Sequence, residues 1–310
     1  MPTHFDEPFW IGDRYFSRDD IALIRETLRR FHRLSRQEMA ATLCENLAWT
    51  SPNGQLRLEA SRELLNAIEA VQWMPVPPAR ARRPSAGLAS ERQGIAIPSI
   101  SVKAPLRALQ PITLVPVATA DRPAWAATMA TYHPLGYQRA YGARQQYWIV
   151  SQARSEPVRL GGLLFAAAAQ RLGARDTWIG WDAMTRAQFR ARIVNNSRFL
   201  IMPGVEVPHL ASHVLGLAAR QIRQDWLKCY GFAPVLLETF VEAPWAGTCY
   251  AAANWQYLGM TAGRGRNDRQ HRAAVPRKAV WVYPLTREWQ LALTAPWPVR
   301  SVRSLEEDPE

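Results

Sequence analysis

Six side chains are of the types that move protons, attack electrophiles or orient a substrate: His133, Ser212, Glu238, Cys249, Tyr250 and Asn254. His133 stands in Tyr132-His133-Pro134-Leu135-Gly136-Tyr137, after a helical stretch and before a turn. An imidazole titrates near neutrality and suits general-base work there; the alternative is a ring hydrogen-bonded to backbone at a helix end. Glu238 interrupts the apolar run Leu236-Leu237-Glu238-Thr239-Phe240. A carboxylate on a buried strand is costly unless compensated, so it reads as a cleft residue or as the partner of a core arginine such as Arg198. Thr248 can cap a short helix whose dipole would favour the thiolate of Cys249, although a small buried hydrophobe is the other reading of that cysteine. Ser212 and Asn254 are placed to orient a substrate by hydrogen bonds. His209 and His213 share a helix face at i and i+4, but two such residues without an HExxH pattern define no metal site, and none is expected.

A second set of residues is suited to anions. Gly263 and Gly265 alternate with Arg264 and Arg266, which lets backbone N–H groups and guanidinium forks converge on a phosphate. Arg269, Arg272, Arg277 and Lys278 follow in the same segment. Over the whole chain 38 Lys+Arg stand against 26 Asp+Glu, a formal +12, and nearly all the basic side chains are arginine. That bias favours a nucleic-acid partner, with DNA the expected form, although a GC-rich genome would also enrich arginine.

The elements that must position these groups can be read from the pattern. The 48% apolar fraction over 310 residues is that of a globular protein with a sizeable core. The longest apolar run, Leu160 to Ala169, is too short for a membrane span, and no membrane association is expected. The N-terminus lacks a signal-peptide pattern, and the three cysteines include no CxxC pair, so a cytoplasmic location is expected. Residues 12–76 read as three helices. Ser17 with Asp20 opens the first, the box Ser35/Glu38 opens the second, and the third runs from Leu58 to Val71. With Trp73–Val76 as a strand, this resembles a winged helix whose third helix would offer Arg57, Arg62 and Asn66 to DNA. Glu59, Glu63 and Glu69 on that helix favour a plain docking module instead. Residues 77–104 form a Pro/Arg-rich linker in which Arg80, Arg82 and Arg83 could track a phosphate backbone.

Residues 105–290 alternate strands and helices. Strands are expected over Ile112–Val117, Gln146–Ser151, Leu160–Ala168, Ser197–Met202, Pro234–Val241 and Ala279–Pro284. Helices are expected over Arg122–Tyr132, Thr185–Arg192 and His209–Ile222, with a short one at Cys249 that ends at Gly259. Asn195-Asn196 reads as a cap and turn. Residues 291–310 form a tail that ends in the acidic run Leu305–Glu310. The fold class is therefore α/β (α+β), a helical N-terminal domain followed by a mixed-sheet domain.

Four runs, taken in this order and at these separations, carry a resemblance: Asn195-Asn196-Ser197-Arg198-Phe199-Leu200-Ile201, Pro208–His213, Leu237–Val241 and Gly247–Trp255. Together they resemble the DruA family of the Druantia anti-phage defence systems, over most of the chain. The resemblance implies a defence role that engages nucleic acid, with a helicase of the system as partner; a scaffold subunit or a transposase-associated protein are the alternatives. The strand and helix order of 105–290 also resembles the GNAT acyltransferase fold, as in the phage DNA-modification protein Mom. That likeness implies a nucleic-acid-modifying transferase with Tyr250 as proton donor; Arg198, on the strand that leads to the pyrophosphate turn, is expected to bind nucleic acid. The turn itself, Pro203-Gly204-Val205-Glu206-Val207-Pro208, has one glycine, two prolines and an acid. It makes a poor pyrophosphate cradle, so acetyl-CoA is a doubtful cofactor and the cofactor stays open.

Overall fold

The computed structural model describes residues 5–11, 14–51, 55–78, 100–137, 142–263 and 276–294. Arg80, Arg82, Arg83, Arg264, Arg266, Arg269 and Arg272 lie outside the described residues, as do most of the expected linker and tail. A hairpin of β1 (Phe9–Ile11) and β2 (Arg14–Phe16) precedes three helices, α1 (Arg18–Arg30), α2 (Arg36–Asn46) and α3 (Leu58–Ala70). Both expected capping boxes form: Ser17 with Asp20 on α1, and Ser35 with Glu38 on α2. Each satisfies two N–H groups that a helix start leaves unpaired.

The winged-helix expectation is not supported. Trp73–Val76 forms no strand, no strand directly follows α3 among the described residues, and the hairpin lies ahead of α1. On α3, Arg62 pairs with Glu59, while Asn66 Oδ1 and Glu69 Oε2 each accept from Arg36 Nη2 at 2.7 Å. Arg62 and Asn66, two of the groups expected to face a DNA groove, are thus held by their own neighbours.

The second half is built on β3 (Val102–Lys103), β4 (Ile112–Pro116), α4 (Arg122–Tyr132), β5 (Arg144–Ser151) and β6 (Val158–Ala167). It continues with α5 (Gly173–Ile179), α6 (Ala183–Phe189), β7 (Ile193–Ile201), β8 (Val205–Glu206), α7 (Leu210–Tyr230) and β9 (Leu236–Glu242). It ends with α8 (Thr248–Ala252), β10 (Gln256–Met260), β11 (Lys278–Pro284) and α9 (Trp289–Ala292). Seven strands form one mixed sheet in the order β10-β11-β9-β7-β6-β5-β4, antiparallel throughout except for β7 beside β9. That parallel pair is registered only from Ile193 to Asn195 against Leu236 to Glu238, and the strands are no longer paired beyond it. The element order follows the alternation of strands and helices expected over 105–290, with β1, β2, β3, β8, α5, β10 and α9 added to the expectation.

Alternation along the strands divides the sheet cleanly. Leu163, Phe165, Val194 and Leu237 join the core under α7 and the N-terminal helices. Leu164 packs instead under α4 with Trp125 and Met129, and Leu236 packs with Trp181 and Phe189 of the α5–α6 region. The N-terminal helices share the first of these cores with the sheet. Phe31, 5% exposed, sits 5.9 Å from Tyr230 and 5.8 Å from Phe232, and Arg144 binds Glu38 across the same seam. Burying a phenyl ring in this way contributes roughly 1.5–3 kcal/mol.

Candidate functional site

The expected site residues divide between the two faces of the sheet. On the α7 face, Tyr250 is buried under α8, and its hydroxyl donates to Asn196 Oδ1 at 2.9 Å. Thr239 Oγ1 donates to the Asn196 carbonyl at 2.9 Å and lies 3.4 Å from the tyrosine oxygen. Phe199 and Trp255 meet the Tyr250 ring edge-on at 6.4 and 5.0 Å. Burial pushes the phenol well above its ordinary range, so Tyr250 stays protonated across all working pH. This cluster lies where β7 and β9 lose their pairing. Asn196 is therefore a buried strand residue rather than part of a cap.

α8 starts differently from expectation. Its N-cap is Gly247 at φ 74°, not Thr248, and no side chain caps it. Glycine is required there, since a Cβ would meet Trp281 Nε1 at 2.7 Å. The helix ends at Ala253 rather than at Gly259, and Gly259 instead marks a bulge in the edge strand β10. Burial pushes the Cys249 thiol up, which opposes the thiolate expected from a helix dipole; the helix is five residues long, and the dipole is correspondingly small. Asn254 is exposed at φ 63°, in the left-handed region where asparagine is tolerated, and its N–H donates to the Ala251 carbonyl. Its backbone conformation accounts for the residue.

Ser212 and the histidines lie at the start of α7. Ser212 Oγ donates to the His209 carbonyl at 3.2 Å. His213 Nε2 sits 3.3 Å from Gln110 Nε2, so the ring accepts there as the neutral tautomer, and burial with nearby Arg220 lowers its pKa. The turn before α7 carries β8, which pairs in parallel with β3, and Lys103 Nζ binds Glu206 at 2.9 Å. The Gly204 and Glu206 carbonyls accept from the Val102 and Ala104 N–H groups. A Cβ on Gly204, at φ 84°, would collide with the Ile100 carbonyl. The turn expected to cradle a pyrophosphate is thus paired with β3; its Pro203 and Pro208 carry no N–H, and the Val205 and Leu210 N–H groups already donate to the Met202 and Val207 carbonyls. These residues do not fit acetyl-CoA.

The opposite face holds Glu238, His133 and Arg198. Glu238 is fully buried. Its Oε2 binds Arg175 Nη1 at 2.7 Å, and its Oε1 accepts from the Ala169 N–H at 2.7 Å. Arg175 Nη1 also donates to the Ala169 carbonyl, and its Nε and Nη2 reach Asp176 Oδ1 at 2.9 and 2.7 Å. Burial alone would lower Arg175; the Glu238 and Asp176 carboxylates outweigh it and hold the guanidinium above its ordinary range. The partner of Glu238 is therefore Arg175, not Arg198. Arg198 donates to the Gly136 and Ser197 carbonyls at 2.9 and 2.6 Å. His133 Nδ1 accepts from the Leu135 N–H at 3.1 Å, and burial with the Arg198 charge lowers its pKa to about 4. A base so weak does not suit catalysis near neutrality.

The structure thus brings Tyr250 and Cys249 together on α8 and sets Glu238 and His133 across the sheet from them; Lys278 is paired with Glu242 at 2.7 Å. Arg175 and Asp176 are absent from the sequence-based set. The signal that could have found them is Glu238 itself, whose burial demands a cation, and an Arg-Asp doublet in the apolar setting of Leu172–Trp178.

Among the described residues no helix is long and apolar enough to cross a membrane. Two solved structures similar to the chain are candidate acetyltransferases. The one from Chromobacterium violaceum ATCC 12472, of the GNAT family, shares 12% identity, covers 68% of this chain and 97% of its own, and has a TM-score of 0.35. The one from Sphaerobacter thermophilus DSM 20745 shares 12% identity, covers 56% and 93%, and has a TM-score of 0.29. A search of curated proteins returned no match. The mixed seven-stranded sheet, covered by helices on both faces, defines an α/β domain. The family profile described as Druantia protein DruA matches residues 98–288, well over half of the chain, and the chain belongs to the DruA family.

Proposed function

We propose that this protein serves anti-phage defence by engaging nucleic acid as a component of a Druantia system. The observation that carries the defence role is the family match over 98–288. The formal +12, concentrated in arginine, supports a phosphate-rich ligand. The placement of the candidate groups favours a binding or scaffold subunit over a transferase. His133, Arg198 and Glu238 are occupied with structural partners, and they stand across the sheet from Tyr250. A helicase of the system is the partner this reading calls for.

Oligonucleotide binding measured over a salt series tests the reading directly. Affinity should fall steeply with salt, with a slope of about 0.9 per phosphate contact on duplex DNA. Binding too weak to measure at low salt would end it. Two further measurements separate binder from transferase. Calorimetry with acetyl-CoA should give no saturable heat, and mass spectrometry of phage and host nucleosides should show no new base when the protein is present. A modified base would restore the transferase reading.

A further inference from the structure

Between the end of α2 and α6 runs an open groove of about 280 Å³, lined among others by Glu45, Thr50, Gln170, Arg171, Arg186 and Arg190. One wall comes from the N-terminal helices and the other from the sheet domain, so the groove exists only where the two meet. The N-terminal wall lies outside the residues matched by the family profile. We propose that this groove is a binding site for the phosphates of a nucleic-acid backbone, which rests on the nucleic-acid reading above and assigns it a surface.

Three arginines line the groove against a single lining carboxylate, Glu45. Arg190 forms the floor and is 4% exposed; it donates to the Ala168 carbonyl at 3.2 Å and to Asn46 Oδ1 at 3.3 Å, with Glu45 at 3.7 Å. Arg186 reaches Asp176 only at 3.5 Å. The Arg186 ion pair is long, beyond the 2.7–2.9 Å of a strong charge-assisted hydrogen bond, so that guanidinium retains donor capacity for a phosphate, while Arg190 contributes its charge from the floor. Arg171 is exposed and makes no ion pair among the described residues. Even counting Asp176 beneath the surface, the three cations exceed the carboxylates by one. Thr50 and Gln170 add neutral hydrogen-bonding groups at the rim. A lone ion needs far less room, whereas a backbone that carries a phosphate on each nucleotide fits an open groove with spaced arginines.

The buried ionic network gives this wall its rigidity. Glu238 accepts from the Ala169 N–H while Arg175 donates to the Ala169 carbonyl, so the backbone immediately before Gln170 and Arg171 is clamped on both sides. Asp176 links the same network to Arg186 and also accepts from the Leu172 N–H. Glu238 and Arg175 thereby act as positioning residues for the arginines that would touch the ligand.

The test is fluorescence anisotropy of a labelled single-stranded oligonucleotide, and of its duplex, with the full chain across a salt series. Arg171→Glu should weaken binding tenfold or more and lower the salt slope by about one, while Arg171→Lys should keep most of the affinity. Since Arg171 is exposed, the variant should melt with the unaltered protein, and Arg171→Ala/Arg186→Ala should weaken binding further than either change alone. If the unaltered chain binds while Arg171→Glu matches it in affinity and slope, the groove assignment falls and the nucleic-acid reading survives on another surface. If the unaltered chain binds no oligonucleotide, both fall.

Discussion

Glu238 and Thr239 are neighbours on one strand, yet they anchor two unlike networks. Thr239 faces α8 and joins Tyr250 and Asn196 through neutral hydroxyl and amide groups. Glu238 faces α5 and joins Arg175 and Asp176 through buried charge. The neutral network can lose one member and keep the rest, because each net hydrogen bond contributes only about 1 kcal/mol. The ionic network cannot, because removing one charge leaves its partner stranded in a low dielectric. The two faces of β9 should therefore respond very differently to equally small changes.

The largest effect is expected at the ionic face. Glu238→Gln keeps the shape and removes the charge, which leaves Arg175 with one carboxylate fewer at zero exposure. Loss of one partner from a buried pair costs about 3–5 kcal/mol, so thermal or denaturant unfolding should show a clear drop in stability. Of the two sequence readings of Glu238, a cleft residue or the partner of a core arginine, the Arg175 Nη1 at 2.7 Å favours the second. Adding Arg175→Met in a double-mutant cycle should cost less than the sum of the two single losses, because each single change strands the other charge, while Asp176 keeps only Arg186 once Arg175 is gone. Additive losses would show that the pair is not coupled and that the two faces are alike after all.

A smaller effect is expected across the strand. Tyr250→Phe removes the hydroxyl that donates to Asn196 Oδ1 and leaves that oxygen buried and unsatisfied. The cost should be about 1–3 kcal/mol, with the aromatic packing on Trp255 and Phe199 kept. Phage protection read beside stability sharpens the comparison. A variant that folds but no longer protects would make the neutral network a working site, and retained protection would leave it structural.

How far this was readable from the residues depended on range. The capping boxes at Ser17 and Ser35, and the α7 pattern through Leu210, Val214 and Ala218, are local signals, and those helices form as expected. The core strands β4 to β7, β9 and β11 carry apolar or β-branched runs and are also legible. The misses are short or long-range. The β1 and β2 strands have three residues each, and β10 is an exposed edge strand broken by the Gly259 bulge, so neither shows clean alternation. Arg175 lies 63 residues from Glu238, and no periodicity links them. The groove joins residues near 45–50 to residues near 170–190, a juxtaposition that only the folded chain displays.

The smallest expected effect lies at the end of α8, which carries Tyr250 on the neutral face. Asn254 holds φ 63° so that the chain can leave the helix and return with Trp255 packed 5.0 Å from the Tyr250 ring. The trait selected there is backbone conformation, since the side chain is exposed and Asn tolerates the left-handed region better than most residues. Asn254→Ala should then cost about 1 kcal/mol, and Asn254→Gly should cost less despite removing the same amide. Urea unfolding of the pair gives the answer, because a shift of that size moves the midpoint without changing the slope. If glycine proves the worse replacement, the amide itself is at work, and Asn254 returns to the list of groups placed to meet a ligand. If alanine is worse and both variants still protect against phage, the residue serves only to set α8, and with it the neutral network, against the sheet.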